Sequence, residues 1–290
     1  MPRTPNLAAA ADFIWRTARL IDRHRYARLF EEAASEPVVS ALRPYQNPDG
    51  GFGNALEPDL RGPTSQPVPT WTALVVLAEV DALNDPMVPR ALDYLASITT
   101  AEGGVPFVLP AVRDHPHAPW WETTDDLTAS LNPTACIAGT LMAGGIEHPW
   151  VERATAYCWR AIAAIDATSP YEMRAVLPFL DGATDRARAE AAFARVGPKL
   201  LEQGLVELDP HAPGEVQPPL VFAPRPNCLA RRLFSDDLIE AHLDALVDAQ
   251  QPDGGWPIDW LVWAPAAGLE WRGWATIEAL ATLRAYGRLG

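Results

Sequence analysis

Lysine is almost missing: Lys199 is the only one in 290 residues. With 23 Lys plus Arg set against 37 Asp plus Glu, the formal net charge is −14. A surface this acidic repels phosphate backbones, which argues against nucleic acid as a partner. Cysteine is scarce and odd in number, and Cys136, Cys158 and Cys228 lie far apart in the chain. That pattern excludes a disulfide framework and suits a reducing compartment. Long apolar runs are also lacking. No window approaches the roughly 18 uninterrupted apolar residues of a spanning helix, so no integral membrane segment is expected. The stretch from Met1 to Trp15 carries one Arg and no apolar run of signal-peptide length, and a cytoplasmic location is expected.

What is present is apolar and punctuated. The chain is 48% hydrophobic and 21% charged, the balance of a packed protein, and its 29 prolines cluster between apolar stretches, where they mark loops. An internal match joins the two ends. Gln46-Asn47-Pro48-Asp49-Gly50-Gly51-Phe52 aligns with Gln250-Gln251-Pro252-Asp253-Gly254-Gly255-Trp256. Beyond each copy, Thr70, Ala73, Leu74 and Leu77 correspond to Thr276, Ala279, Leu280 and Leu283, and a weaker third copy carries Glu102-Gly103-Gly104. The spacings fit a repeat of about 50 residues, the signature of stacked supersecondary units that cannot each bury their own face.

Each unit reads as helix, turn, helix. Residues 38–46, 90–98, 151–165, 186–203 and 237–250 are amphipathic, with apolar positions three and four apart. Residues 70–80, 133–142, 171–180, 227–234 and 273–286 are apolar nearly all round, which predicts burial on most sides. A sixth buried element is expected over residues 6–30. The expected fold is therefore all-α: one domain over residues 1–290, an α/α toroid of five to six hairpins with the apolar set inside. Connections 47–69, 99–132, 204–226 and 251–272 are long and the others short. In an alternating barrel the long ones gather over a single mouth, where functional residues concentrate.

The Gln-x-x-x-Gly-x-aromatic pattern, at Gln46 to Phe52 and Gln250 to Trp256, resembles the repeat of squalene and terpenoid cyclases, and protein prenyltransferase β subunits share a related helical repeat. The resemblance implies a toroid whose Gln and aromatic side chains tie an outer helix to the next inner helix. It implies an isoprenoid-like hydrophobic ligand in a tryptophan-lined cavity, with cyclisation or isomerisation started by protonation.

The acid motif of class II cyclases, Asp-x-Asp-Asp, has its nearest counterpart in Thr123-Thr124-Asp125-Asp126. The first acid is lost. By that resemblance Asp125 is the proton donor and Asp126 its partner, since adjacent carboxylates in a dry cavity resist joint ionisation. The other reading makes Asp126 a cap for the helix that follows. Cys136 lacks the preceding Asp of a prenyltransferase zinc site, and His115 and His117 alone do not complete one. Neither metal nor cofactor is expected. Asp236-Asp237-Leu238-Ile239-Glu240 imitates a magnesium motif, but Ser235 and these acids read as a helix N-terminus.

Other candidates cluster in the first and last long loops: Glu57, Asp59 and Arg61, then Asp259, Glu270 and Arg272. If the ring closes these would meet, as catalytic acids and ligand contacts or as a salt-bridge network sealing the seam. Trp120, Trp121, Trp260 and Trp271 are candidate cation-stabilising faces, although indoles equally stack on sugars or seal a core. Asp125, Asp126, Asp259 and Glu270 are the catalytic candidates; Glu57, Asp59, Arg61, Trp120, Trp121, Trp260, Trp271 and Arg272 are the binding candidates. Two further functions fit the residues. One is a carbohydrate-active enzyme on a related barrel, using two of Glu57, Asp125, Asp259 and Glu270. The other is a non-catalytic binder of a hydrophobic ligand. Class II cyclases set their site between two helical domains, and a homodimer is one way to supply the missing wall.

Overall fold

The structure, a computed structural model, describes residues 3–289. Helices follow in the order α1 (Leu7–Thr17), α2 (Leu20–Phe30), α3 (Glu36–Leu42), α4 (Pro67–Glu79), α5 (Met87–Ser97), α6 (Leu131–Ala143), α7 (Pro149–Ala164), α8 (Pro170–Gly182), α9 (Arg186–Val196), α10 (Lys199–Glu202), α11 (Pro219–Phe222), α12 (Asp236–Asp248) and α13 (Pro265–Ala285). Among the described residues extended pairing is limited to isolated bridges. The fold is all-α, as the periodicity predicts. No helix among the described residues is long and apolar enough to cross a membrane.

Two compact units make up the chain. One spans Ala34–Val196, and the other combines the residues up to Ala33 with those from Gly197 onward. In the central unit α6 packs against both α4 and α8, and each of the three buries a set of apolar residues. The approach of α6 and α8 is close because both carry glycine at the crossing. A Cβ on Gly182 would stand 2.3 Å from the carbonyl oxygen of Gly139. Helices α5 and α7 bury a single apolar stripe each, as their amphipathic pattern requires. The terminal unit packs α13 against α1, α2 and α12.

The repeated turns are the same local structure. Asn47 N–H donates to Gly51 O and Gln251 N–H to Gly255 O, both at 2.8 Å. The Gln46 amide donates to Gly50 O, and that of Gln250 to Gly254 O, both at 2.9 Å. The N–H of Phe52 reaches the Thr70 hydroxyl at 3.1 Å, and that of Trp256 the Thr276 hydroxyl at 3.0 Å. The weak third copy keeps the last bond, Val105 N–H to Thr134 Oγ1 at 3.0 Å. The aromatic residue is thus tied through its backbone to the helix that follows. Each Gln goes elsewhere than the resemblance implies: Gln46 to Met87 O at the start of α5, and Gln250 to Asn6 O at the start of α1, both at 2.9 Å. Helix α1 therefore serves the last turn as α5 serves the first.

Four boundaries differ from expectation. Residues 6–30 form two helices rather than one, since Ala18 is extended and closes α1. Ala18 is buried beneath Gly273, where a Cβ would come within 3.0 Å of it, so tertiary packing rather than propensity sets the break. Residues 186–203 divide at Gly197-Pro198, because proline cannot continue the first helix. Residues 227–234 form a short 3-10 turn, Leu229–Leu233, capped by Arg231 through the carbonyl of Phe234 at 2.7 Å. The last loop is shorter than expected. Helix α13 begins with Pro265 in its first turn and takes in Glu270, Trp271 and Arg272.

Candidate functional site

The candidate residues fall into two groups, one on each unit. On the central unit, the segment carrying Glu57, Asp59 and Arg61 pairs with the segment leading to Trp121. Leu60 bridges His117, Arg61 N–H donates to Pro116 O, and Ala118 N–H donates to Asp59 O, the last two at 3.0 Å. This pairing buries two carboxylates, since Glu57 is 4% and Asp59 3% exposed. Burial of charge requires partners. Glu57 Oε2 accepts the Asp59 N–H at 2.6 Å, closing a tight local turn. The half-buried Arg61 donates to Pro58 O at 3.4 Å and lines, with Leu60 and His115, a cavity of about 10 Å³. That space holds about one water and no organic ligand.

Trp121 is buried and stacks on Phe107, with ring centroids 4.8 Å apart and planes inclined by 10°. Its indole N–H has no hydrogen-bond partner. Trp120, next to it, is exposed. Asp125 is exposed over 87% of its side chain and ion-pairs with Arg113 at 2.8 Å, while the same guanidinium holds Thr123 O at 2.8 Å. Asp126 is exposed. It does not cap α6: the N-cap position is Ser130, with no side-chain cap bond.

On the terminal unit, Arg272 is committed. Its two Nη atoms grip Asp253 at 2.8 Å each, its Nε donates to Trp256 O at 3.1 Å, and its guanidinium lies 4.6 Å over the Phe13 ring. The Arg272 hydrogen bonds hold the Asp253 carboxyl below the ordinary carboxylate range. Asp259 is shifted the opposite way: desolvation by neighbouring groups raises its pKa, although the residue is exposed. The indole beside it, Trp260, meets Trp271 edge to face at 5.4 Å, and Glu270 precedes Trp271 on α13. An open groove of about 430 Å³ runs past Pro252, Asp253, Pro257, Ile258, Val262 and Arg272.

Two features escaped the sequence. Asp253 was visible only as a turn residue, and its bidentate hold on Arg272 depends on α13 starting early. The second is a buried ion cluster on α2: Asp22 and Arg25 are fully buried, with Arg19 to Asp22 at 2.7 Å and Arg25 to Asp22 at 3.2 Å. Arg25 also lies 3.8 Å over the Trp274 ring. The three-residue spacing of these charges was its one sequence signal. Among the described residues no three His, Cys, Asp or Glu side chains gather as a metal site would require. The Asp236-Asp237 pair opens α12, whose N-cap Ser235 accepts the Leu238 N–H at 3.2 Å.

No family model matches the chain, and no curated protein matches it in sequence. Solved structures do match its fold. A protein from Actinoplanes is similar with a TM-score of 0.59 at 19% identity, over 95% of this chain and 90% of that one. The type II terpene cyclase MstE from Scytonema, without ligand, is similar with a TM-score of 0.53 at 15% identity, over 98% and 88%. A variant of that cyclase in complex with its substrate, geranylgeranyl dihydroxybenzoate, gives 0.50 at 16% identity, over 97% and 88%. The chain therefore has a terpene cyclase-like fold.

Proposed function

We propose that this protein takes an isoprenoid-like ligand and carries out an acid-initiated cyclisation or isomerisation, without metal or cofactor. The observation that carries the reading is the fold likeness to a type II terpene cyclase over 98% of the chain. The proposal includes a single toroidal domain over residues 1–290. The squalene cyclase-type repeat belongs to the same reading, supported by the matched turns at Gln46 and Gln250. So does a cytoplasmic protein, with a homodimer able to complete the cavity wall.

The acid is assigned to Asp259 rather than Asp125. Protonating an alkene needs a carboxyl that keeps its proton. Asp125 projects into solvent and is ion-paired with Arg113. Asp259 is exposed as well, but partial desolvation raises its pKa where Asp125 is ion-paired, and it adjoins the Trp260–Trp271 pair. Indole faces stabilise a carbocation by about 1–2 kcal/mol each when desolvated. On the same unit Glu270, which precedes Trp271 on α13, serves as a secondary carboxylate.

Incubation with geranylgeranyl dihydroxybenzoate, followed by chromatography and mass spectrometry, tests this. The expected result is a product of unchanged mass and shifted retention, with turnover reduced by about 100-fold or more in Asp259→Asn and retained in Asp125→Asn. Absence of any isomer rejects the enzymatic reading. A non-catalytic binder of the same ligand class is the second reading. It is favoured by the solvent-facing Asp125 and by the complete engagement of Arg272 with Asp253, and it predicts ligand retained in native mass spectra with no isomer formed.

A further inference from the structure

The open groove of about 430 Å³ beside the last repeated turn combines an apolar lining with one charged pair. Pro252, Pro257, Ile258 and Val262 supply the apolar part, and Ile258 adjoins Asp259 in the chain. The amide of Gln251, also at the groove, is spent on Ala249 O at 2.8 Å. Asp253 and Arg272 remain. Each Asp253 oxygen accepts from one Arg272 Nη at 2.8 Å, and Oδ1 accepts the Gly255 N–H at 3.1 Å as well. A carboxylate oxygen can accept twice. Oδ2, with one donor, therefore keeps an accepting position on a side chain that is 47% exposed.

This arrangement discriminates among polar head groups. Arg272 holds the Asp253 carboxyl ionised, so that carboxylate accepts hydrogen bonds and donates none. A head group that meets Oδ2 must bring a hydrogen-bond donor. The guanidinium offers an anion little, because a bidentate carboxylate already neutralises it. An anion reaches that charge only by displacing Asp253, which also releases the Gly255 N–H and opens the turn. A phosphate left beside Asp253 meets a like charge, and a cationic donor meets one in Arg272. A neutral hydroxyl incurs neither cost.

We propose that this groove selects an isoprenoid with a neutral hydroxyl head, an alcohol or a phenol donating to Asp253 Oδ2, and rejects a prenyl diphosphate. Asp253 is then a specificity-determining residue. The inference rests on the isoprenoid reading above and holds whether the ligand is turned over or only bound.

Isothermal titration calorimetry of the full-length protein with farnesol and with farnesyl diphosphate, which share one hydrocarbon chain, tests it. The wild type is expected to bind farnesol about tenfold or more tightly than the diphosphate. Asp253→Asn keeps an oxygen for the Gly255 N–H and releases the Arg272 charge. The order is then expected to invert, the diphosphate gaining about tenfold or more and farnesol losing about tenfold. Equal weakening of both ligands by the substitution, the mark of a merely structural pair, overturns the inference. So does a wild type that binds the diphosphate as tightly as farnesol, and the isoprenoid reading then survives. Binding of neither ligand by the wild type rejects that reading and the inference with it. If Asp253→Asn is misfolded, farnesyl methyl ether, which lacks the donor, decides the matter on the wild type. Its affinity is expected to fall about tenfold below that of farnesol, and equal affinity overturns the inference.

Discussion

Gly254 holds φ at +95°, and a Cβ there would stand 2.0 Å from the carbonyl oxygen of Ala9. Gly204 also has positive φ, +63°, but nothing lies within 4 Å of its missing side chain. The two glycines separate backbone strain from collision. Gly254→Ala is expected to destabilise by about 3 kcal/mol or more and Gly204→Ala by about 1 kcal/mol, read from denaturant melts. The hydroxyl of Thr276 presents a second single-residue test. It accepts the buried Trp256 N–H, so Thr276→Val leaves a donor unsatisfied and costs about 1–3 kcal/mol, whereas Thr276→Ser costs less. Both glycine turns and both threonines were legible in the sequence because the repeat displays them twice. The partners of Asp253 and Arg272 were not, because their contact depends on where α13 begins.

Between elements, the buried charges of α2 decide how it meets α13. Arg25 is fully buried against Asp22, Glu278 and the Trp274 face. Removing one member leaves an uncompensated charge, so Asp22→Leu is expected to cost about 3–5 kcal/mol, and the double variant Asp22→Leu/Arg25→Met less than that. A chemical-denaturation cycle on the two positions checks the order. Helix α12 holds the preceding loop through buried His242, whose ring Nε2 contacts Leu208 O at 3.2 Å. Burial lowers the His242 pKa below its ordinary 6.5, against the raising effects of the Leu208 carbonyl, Asp209 and Glu207. His211 pushes the same way as burial. With the folded pKa below the unfolded one, the unfolded chain binds the proton more readily. This site therefore contributes its full stability above about pH 6.5 and loses it as pH falls toward the folded value. The melting temperature is expected to decline from pH 7 to pH 5, with a shallower slope in His242→Gln. Amphipathic helices such as α5, α7 and α12 were legible from period alone. The break at Ala18 and the loss of a helix at 227–234 were not, because packing under Gly273 and local capping override propensity there.

For the molecule as a whole, the terminal unit is assembled from both ends of the chain. Its Gln250 turn is completed by the N-terminal helix through Asn6, whose N–H donates to Gln250 Oε1 at 2.8 Å. A chain lacking residues 1–17 is therefore expected to lose amide-exchange protection at residues 250–256, while the turn at 46–52, which closes on α5 within the central unit, keeps its protection. Equal protection at both turns would contradict this dependence of the last repeat on the first helix.

The order of residues by itself determined the helical class, the repeat and the positions of its turns, because periodicity and the Asp-Gly-Gly turn are local demands on neighbouring residues. It also supplied the acids and indoles as candidates. Only the tertiary structure decided which of them are available. Glu57 and Asp59 are buried by a pairing with a segment some sixty residues away, Asp125 is turned to water beside Arg113, and Arg272 is engaged by Asp253. Burial and ion pairing are properties of distant contacts, and no local pattern encodes them.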